Sequence, residues 1–129
     1  YQQLKIIQKM VSDLNLDIDV IGMPIIREQG GLAMSSRNEY LSPEERRKAL
    51  ALSKSLLEIK SGFDSGIIDT ERLTALGYKI IEQAGIDDVD YLEIRDGETL
   101  DSSDTAKSGD VVAIAARVGK ARLIDNLSL

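Results

Sequence analysis

Gly31-Leu32-Ala33-Met34-Ser35-Ser36-Arg37-Asn38-Glu39-Tyr40-Leu41 places two hydroxyls and a guanidinium in a glycine-led loop directly before a helix start. Serine hydroxyls and unpaired backbone N–H groups donate to phosphate oxygens, and arginine adds a permanent planar charge able to pair with two oxygens at once. Gly30, Gly31 and Ala33 are small enough to let a ligand approach the backbone. A solvated turn has the same composition, so the segment by itself fits an ordinary turn as well as a phosphate cradle. Arg27 and Arg37 are the residues from which a local anion-holding cluster would be built.

Other constellations are weaker. Asp87, Asp88 and Asp90 lack the glycine and glutamate spacing of a calcium loop and read as a solvated turn. Arg46, Arg47 and Lys48 follow two glutamates and suit helix-surface ion pairing. Arg117 and Arg122 flank a hairpin turn, where facing a phosphate and protecting a strand edge are equally good explanations. Cysteine and histidine are absent, which removes disulfides, thiolate nucleophiles, histidine bases and the commonest metal ligands. No general base or nucleophile stands out, so the chemistry open to this chain is positioning and charge stabilisation.

A chain of 129 residues accommodates one domain, or one small domain plus a piece of another. The formal charge of -6 argues against a broad nucleic-acid or anionic-membrane surface. No apolar run is long enough for a membrane span and nothing resembles a secretory signal, so the cytoplasm is the expected location. Tyr1 is not a natural start, and the first residues already read as helix. The chain is therefore expected to be cut from a longer one, with its function split across the cut.

The elements that must position the loop are legible from periodicity. Leu4, Ile7, Val11 and Leu14 fall at helical spacing, with Ile6 and Met10 widening the stripe. Gln3 lies on that face and is expected to be buried, either as a capping or interhelix hydrogen-bond partner or as a substrate contact. Ile18 to Ile26 is nearly continuously apolar and reads as a strand buried on both faces, stopped by Pro24. Helix then buried strand suggests the tail of a parallel α/β sheet, in which ligands bind beyond the strands' carboxyl ends, where Arg27 through Asn38 emerge.

Ser42-Pro43-Glu44-Glu45 combines an N-cap, an N1 proline and a capping-box glutamate. The helix it starts carries Ala49, Leu52, Leu56 and Ile59, joined by Leu50 and Leu57, until Gly62. A second helix is expected from Asp69 to Gly85, with a connector at residues 63–68. Strands are expected at Val89 to Arg95, Val111 to Val118 and Ala121 to Leu127, the last two joined at Gly119-Lys120. The fold class is thus α/β plus α+β: a terminal helix–strand piece, then a small unit of two helices and a three-stranded antiparallel sheet.

Tyr1-Gln2-Gln3, the stretch from Gly22 to Glu28, the loop from Gly31 to Leu41, Asp90 to Arg95, Ala115 to Gly119 and Arg122 to Asn126 together resemble the carboxy-terminal half of the pantothenate synthetase (pantoate–β-alanine ligase) family. The resemblance covers essentially the whole chain in order. It implies a Rossmann-like nucleotidyltransferase core related to class I aminoacyl-tRNA synthetases, with residues 1–38 its closing piece and 39–129 the small carboxy-terminal domain. It further implies ATP with Mg2+, adenylation of pantoate with release of pyrophosphate, and displacement of AMP by β-alanine.

On that resemblance Met34, Ser35, Ser36 and Arg37 form a KMSKS-like phosphate loop, with Ser35, Ser36 and Arg37 the catalytic contacts. Ile26 and Met34 join them in binding ATP, Gln3 binds pantoate, and no residue is a metal ligand. A missing amino-terminal domain, a homodimer, and neither nucleic acid nor membrane complete the implied partners. The fragment alone is expected to be inactive, with a noncatalytic lid or interaction module as the alternative. One departure stands out: Gly30 occupies the position where the family usually has aspartate, which is expected to loosen the loop or remove a capping hydrogen bond.

Overall fold

In the computed structural model, which describes all 129 residues, Ser42 to Glu45 opens the longest helix, α2 (Pro43–Asp64). The Ser42 hydroxyl accepts from the Glu45 N–H at 3.2 Å and the Glu45 carboxylate accepts from the Ser42 N–H at 2.7 Å, so two helix-start donors are satisfied reciprocally. That Ser42 N–H, foremost, holds the Glu45 carboxyl below its ordinary value. A carboxyl with a depressed folded-state pKa contributes stability above its unfolded pKa and loses it as pH falls through the folded one. Glu45→Gln is therefore expected to lower the melting temperature near neutral pH, with the gap to wild type closing as acid protonates Glu45. Melting curves at pH 7 and pH 3 check this, and a gap that widens in acid would contradict it.

Ala49, Leu52, Leu56 and Ile59 form the inward stripe of α2. Leu57 does not join them; it faces outward and is exposed. The helix also continues past Gly62 to Asp64, two residues beyond the expected stop. Gly62 is a packing glycine rather than a cap: a Cβ there would stand 2.7 Å from Leu76 Cδ1 and 3.1 Å from Leu73 Cδ2. Helix α3 (Thr70–Gln83) crosses at that point, and its N-cap Asp69 accepts from the Arg72 N–H at 2.8 Å.

The strands β1 (Val89–Arg95), β2 (Val111–Val118) and β3 (Ala121–Ser128) form one antiparallel sheet in the order β1-β2-β3. Val118 pairs with Ala121 around the expected Gly119-Lys120 turn, where Gly119 has a φ of 58°. Leu92 and Ile94, Val112 and Ile114, and Leu123 point from the three strands into one apolar core with α2 and α3. Each such buried side chain contributes about 1.5–3 kcal/mol of transfer free energy, so this helix-on-sheet layer supports the fold. The α+β unit is as the sequence pattern predicts.

The amino-terminal part corrects two expectations. Helix α1 (Gln2–Asp13) forms but has no buried residue, and Gln3 is exposed rather than buried. The helix face that would cover Gln3 has nothing of this chain packed on it; α1 is tied on by polar contacts, including Tyr1 Oη to the Gly97 carbonyl at 2.8 Å and Lys5 to Glu98 at 2.8 Å. Residues 18–26 form no strand, and Ile18, Ile21, Met23 and Ile26 are exposed. Apolar continuity signals a place between two layers, but a strand exists only with a hydrogen-bonded neighbour, and no strand of this chain runs beside the segment. No helix is long and apolar enough to cross a membrane.

Candidate functional site

The loop from Ile26 to Leu41 is a built structure. Met34 N–H donates to the Ile26 carbonyl at 2.9 Å, Glu28 N–H to Leu32 at 2.8 Å, and Gly31 N–H to Glu28 at 3.0 Å, folding residues 26–34 back on themselves. Gly30 and Gly31 make the reversal with φ of 109° and 100°, a region that strains any residue with a Cβ. An aspartate at Gly30 would be strained in this backbone, so this chain's glycine suits the reversal it makes. The chain then enters a 3₁₀ turn, Ser36–Tyr40, whose N-cap Ser35 accepts from the Arg37 N–H at 3.2 Å. That bond uses an Oγ lone pair and leaves the Ser35 O–H free to donate outward.

A cavity of about 300 Å³ lies between this loop and β3. Met34, Ser35, Arg37 and Asn38 line one wall and residues 122–126 of β3 another, so the structure brings together three of the five expected phosphate-loop and nucleotide residues. Ser36 and Ile26 do not line it, although Ile25 does. Gln3 lines neither this cavity nor the adjoining cleft of about 440 Å³, whose walls include its neighbours Tyr1 and Leu4.

Charge on the cavity is unevenly committed. Of the two arginines that line it, Arg122 pairs with Asp90, whereas the Arg37 guanidinium has no carboxylate partner and reaches only the Arg122 carbonyl, at 3.5 Å; Arg47 and Arg72, also without carboxylate partners, lie away from the cavity. The expected Arg27–Arg37 anion cluster does not form. Arg27 instead grips Asp125 with two bonds of 2.6 and 3.0 Å and donates to the Gly31 carbonyl at 2.9 Å, because a carboxylate buried in β3 requires a cationic partner. Arg46, expected to pair along its own helix, reaches Glu28 in the loop and the Asn38 carbonyl at 2.9 Å.

Several site residues escape a reading of the sequence alone. Asn38 is 2% exposed; its Nδ2 donates to Glu28 at 2.6 Å and to the Ala33 carbonyl at 3.0 Å, while its Oδ1 has no partner within the chain. Asp125 does carry a usable signal. Strand alternation puts it on the same buried face as Ala121 and Leu123, and an aspartate at an inward position needs a counter-charge. Glu28 carries no such signal, since its partners lie ten and eighteen residues along the chain.

A family model described as pantoate-β-alanine ligase matches residues 1–128. The chain belongs to the pantoate-β-alanine ligase family. A pantothenate synthetase of Sulfurihydrogenibium sp. is 49% identical over 98% of this chain, which covers 46% of that relative. Among solved structures of the family, the Thermus thermophilus pantothenate synthetase superposes with a TM-score of 0.92 at 39% identity, over 98% of this chain and 46% of that one. A Francisella tularensis pantoate-β-alanine ligase complexed with β,γ ATP and β-alanine superposes at 0.63 with 27% identity, over 99% and 40%. The chain thus spans less than half the length of the family members it matches. Three helices and a three-stranded antiparallel sheet are what this chain shares with the Thermus structure.

Proposed function

We propose that this chain supplies the phosphate-binding half of an ATP-dependent pantoate–β-alanine ligase. The observation that carries the reading is Arg37: a guanidinium without a carboxylate partner, on a cavity wall beside a serine hydroxyl free to donate. In the proposed reaction a pantoate carboxylate oxygen attacks the α-phosphorus of ATP, the bond to the β-phosphate oxygen breaks, and pyrophosphate leaves. The β-alanine amine then attacks the acyl carbon of the adenylate and expels AMP, giving the amide. Negative charge builds on the phosphates in the first step, and fixed donors stabilise it without moving a proton.

Ser35, Ser36 and Arg37 are assigned to the ATP phosphates, Met34 and Ile26 to the nucleotide and Gln3 to pantoate. Support is uneven: Met34, Ser35 and Arg37 share the cavity, while Ile26, Ser36 and Gln3 rest on the family motif. Residues 1–38 act as the closing piece of the nucleotide-binding domain and 39–129 as the small domain, consistent with an α1 that buries none of its side chains here. An Mg2+ accompanying the ATP is part of the same proposal. So is a cytoplasmic homodimer; the exposed Ile6 and Met10 of α1, with Leu14 at its C-cap, offer an apolar face for the amino-terminal domain.

The purified chain is expected to form no pantothenate from ATP, pantoate and β-alanine, and a full-length enzyme carrying it is expected to do so. Product formation by the chain alone would overturn the division of the site. An inactive full-length enzyme that does not bind ATP would favour a noncatalytic lid module instead.

A further inference from the structure

Arg27 and Glu28 are adjacent, opposite in charge, and pulled to different parts of the fold. Arg27 is held by Asp125 of β3, whose side chain is 2% exposed, and also donates to the Gly31 carbonyl. Glu28 receives Asn38 Nδ2 at 2.6 Å from the far end of the loop and the Arg46 guanidinium from α2. Arg46 in turn donates to the Asn38 carbonyl at 2.9 Å, closing a ring of Glu28, Asn38 and Arg46 beneath the loop. Everything from Gly31 to Arg37 is suspended between these two grips.

We infer that Asp125 and Glu28 are positioning residues that fix the phosphate loop, one from the sheet and one from the helix, while touching no phosphate themselves. This rests on the proposed assignment of Ser35 and Arg37 to phosphate. A two-bond charged pair holds a loop in a fixed geometry, and the Arg27–Asp125 fork is such a pair, with its carboxylate buried and its guanidinium half-buried. Tethering two consecutive residues in opposite directions fixes the rotation of the backbone between them as well as its location. Donors held in this way need no reorganisation when charge develops.

The test uses the full chain with Asp125→Asn, which keeps shape and removes charge, and separately Glu28→Gln, which releases the other grip. Amide hydrogen exchange is read by NMR without ligand, and inorganic triphosphate affinity by calorimetry. Expected is faster exchange at Met34 and Asn38 with Leu56 and Leu73 unchanged, together with triphosphate binding weaker by about tenfold, the low end of what loss of an outer-shell partner costs a metal site. Native loop exchange in a folded variant, or loosened exchange with undiminished affinity, overturns the inference. If Asp125→Asn does not fold, Glu28→Gln carries both readouts. Should wild type bind no triphosphate, the phosphate assignment fails, and loop exchange alone decides whether the grips exist.

Discussion

Arg37→Ala, in a full-length enzyme carrying this chain, is expected to cut pantothenate formation by on the order of 10²–10³-fold, equivalent to about 2.7–4 kcal/mol of lost transition-state stabilisation. The magnitude follows from where Arg37 stands. Its guanidinium has no carboxylate to neutralise it and lies on the cavity wall beside Ser35, so its charge is available to a phosphate. The loss should fall more on kcat than on KM, because charge on the α-phosphate and the departing pyrophosphate is greatest in the transition state. Arg37→Lys should recover only part of the rate, since an ammonium keeps the charge and loses the two-pronged fork. Pyrophosphate release under saturating ATP measures both. A rate unchanged in Arg37→Ala removes this residue from the chemistry.

Leu56→Ala is the second large effect, and it falls on stability. Leu56 is fully buried at the middle of α2, in the core shared with α3 and the sheet. Truncating such a residue loses the transfer free energy of three carbons and leaves a cavity the neighbours fill incompletely. The cost is about 2–5 kcal/mol. For a domain of this size that corresponds to a melting temperature lower by on the order of 10 °C. Leu57→Ala is the control: one residue on, turned out of the core and exposed, it should change stability by no more than about 0.5 kcal/mol. Similar losses at both positions would mean that the inward face of α2 has been misassigned.

The small α+β unit is legible because its signals are local. Ser42-Pro43-Glu44-Glu45 states a helix start in four residues, Gly119-Lys120 states a hairpin, and the continuous apolar run of β2 marks a central strand buried on both faces. Gly62 shows the limit of that reading. Punctuation in the sequence cannot distinguish a helix-ending glycine from one that lets another helix approach, because the difference lies with Leu73 and Leu76 eleven and fourteen residues away.

Residues 18–26 show a different limit. Apolar composition declares what a segment needs to pack against, and whether the neighbour exists is a property of the rest of the fold. The loop from Gly31 to Leu41 is visible as a list of residue types, and the strongest part of its structure is not. Nothing local marks Arg27 as a partner for Asp125 across 98 positions, so the sequence presents it as a ligand cation when it is a tether. Arg37, which has no carboxylate partner on the cavity wall, is distinguishable from Arg27 only once those partners are seen.

Whether the Ser35–Arg37 turn holds the ATP phosphates is decided most directly by a crystal structure of a full-length enzyme carrying this chain with a nonhydrolysable ATP analogue. Phosphate oxygens are expected within hydrogen-bonding distance, about 2.7–3.2 Å, of the Ser35 and Ser36 hydroxyls and the Arg37 guanidinium, with Arg27 still paired to Asp125. Phosphates bound elsewhere, or held by Arg27 with Arg37 turned to solvent, would refute the assignment.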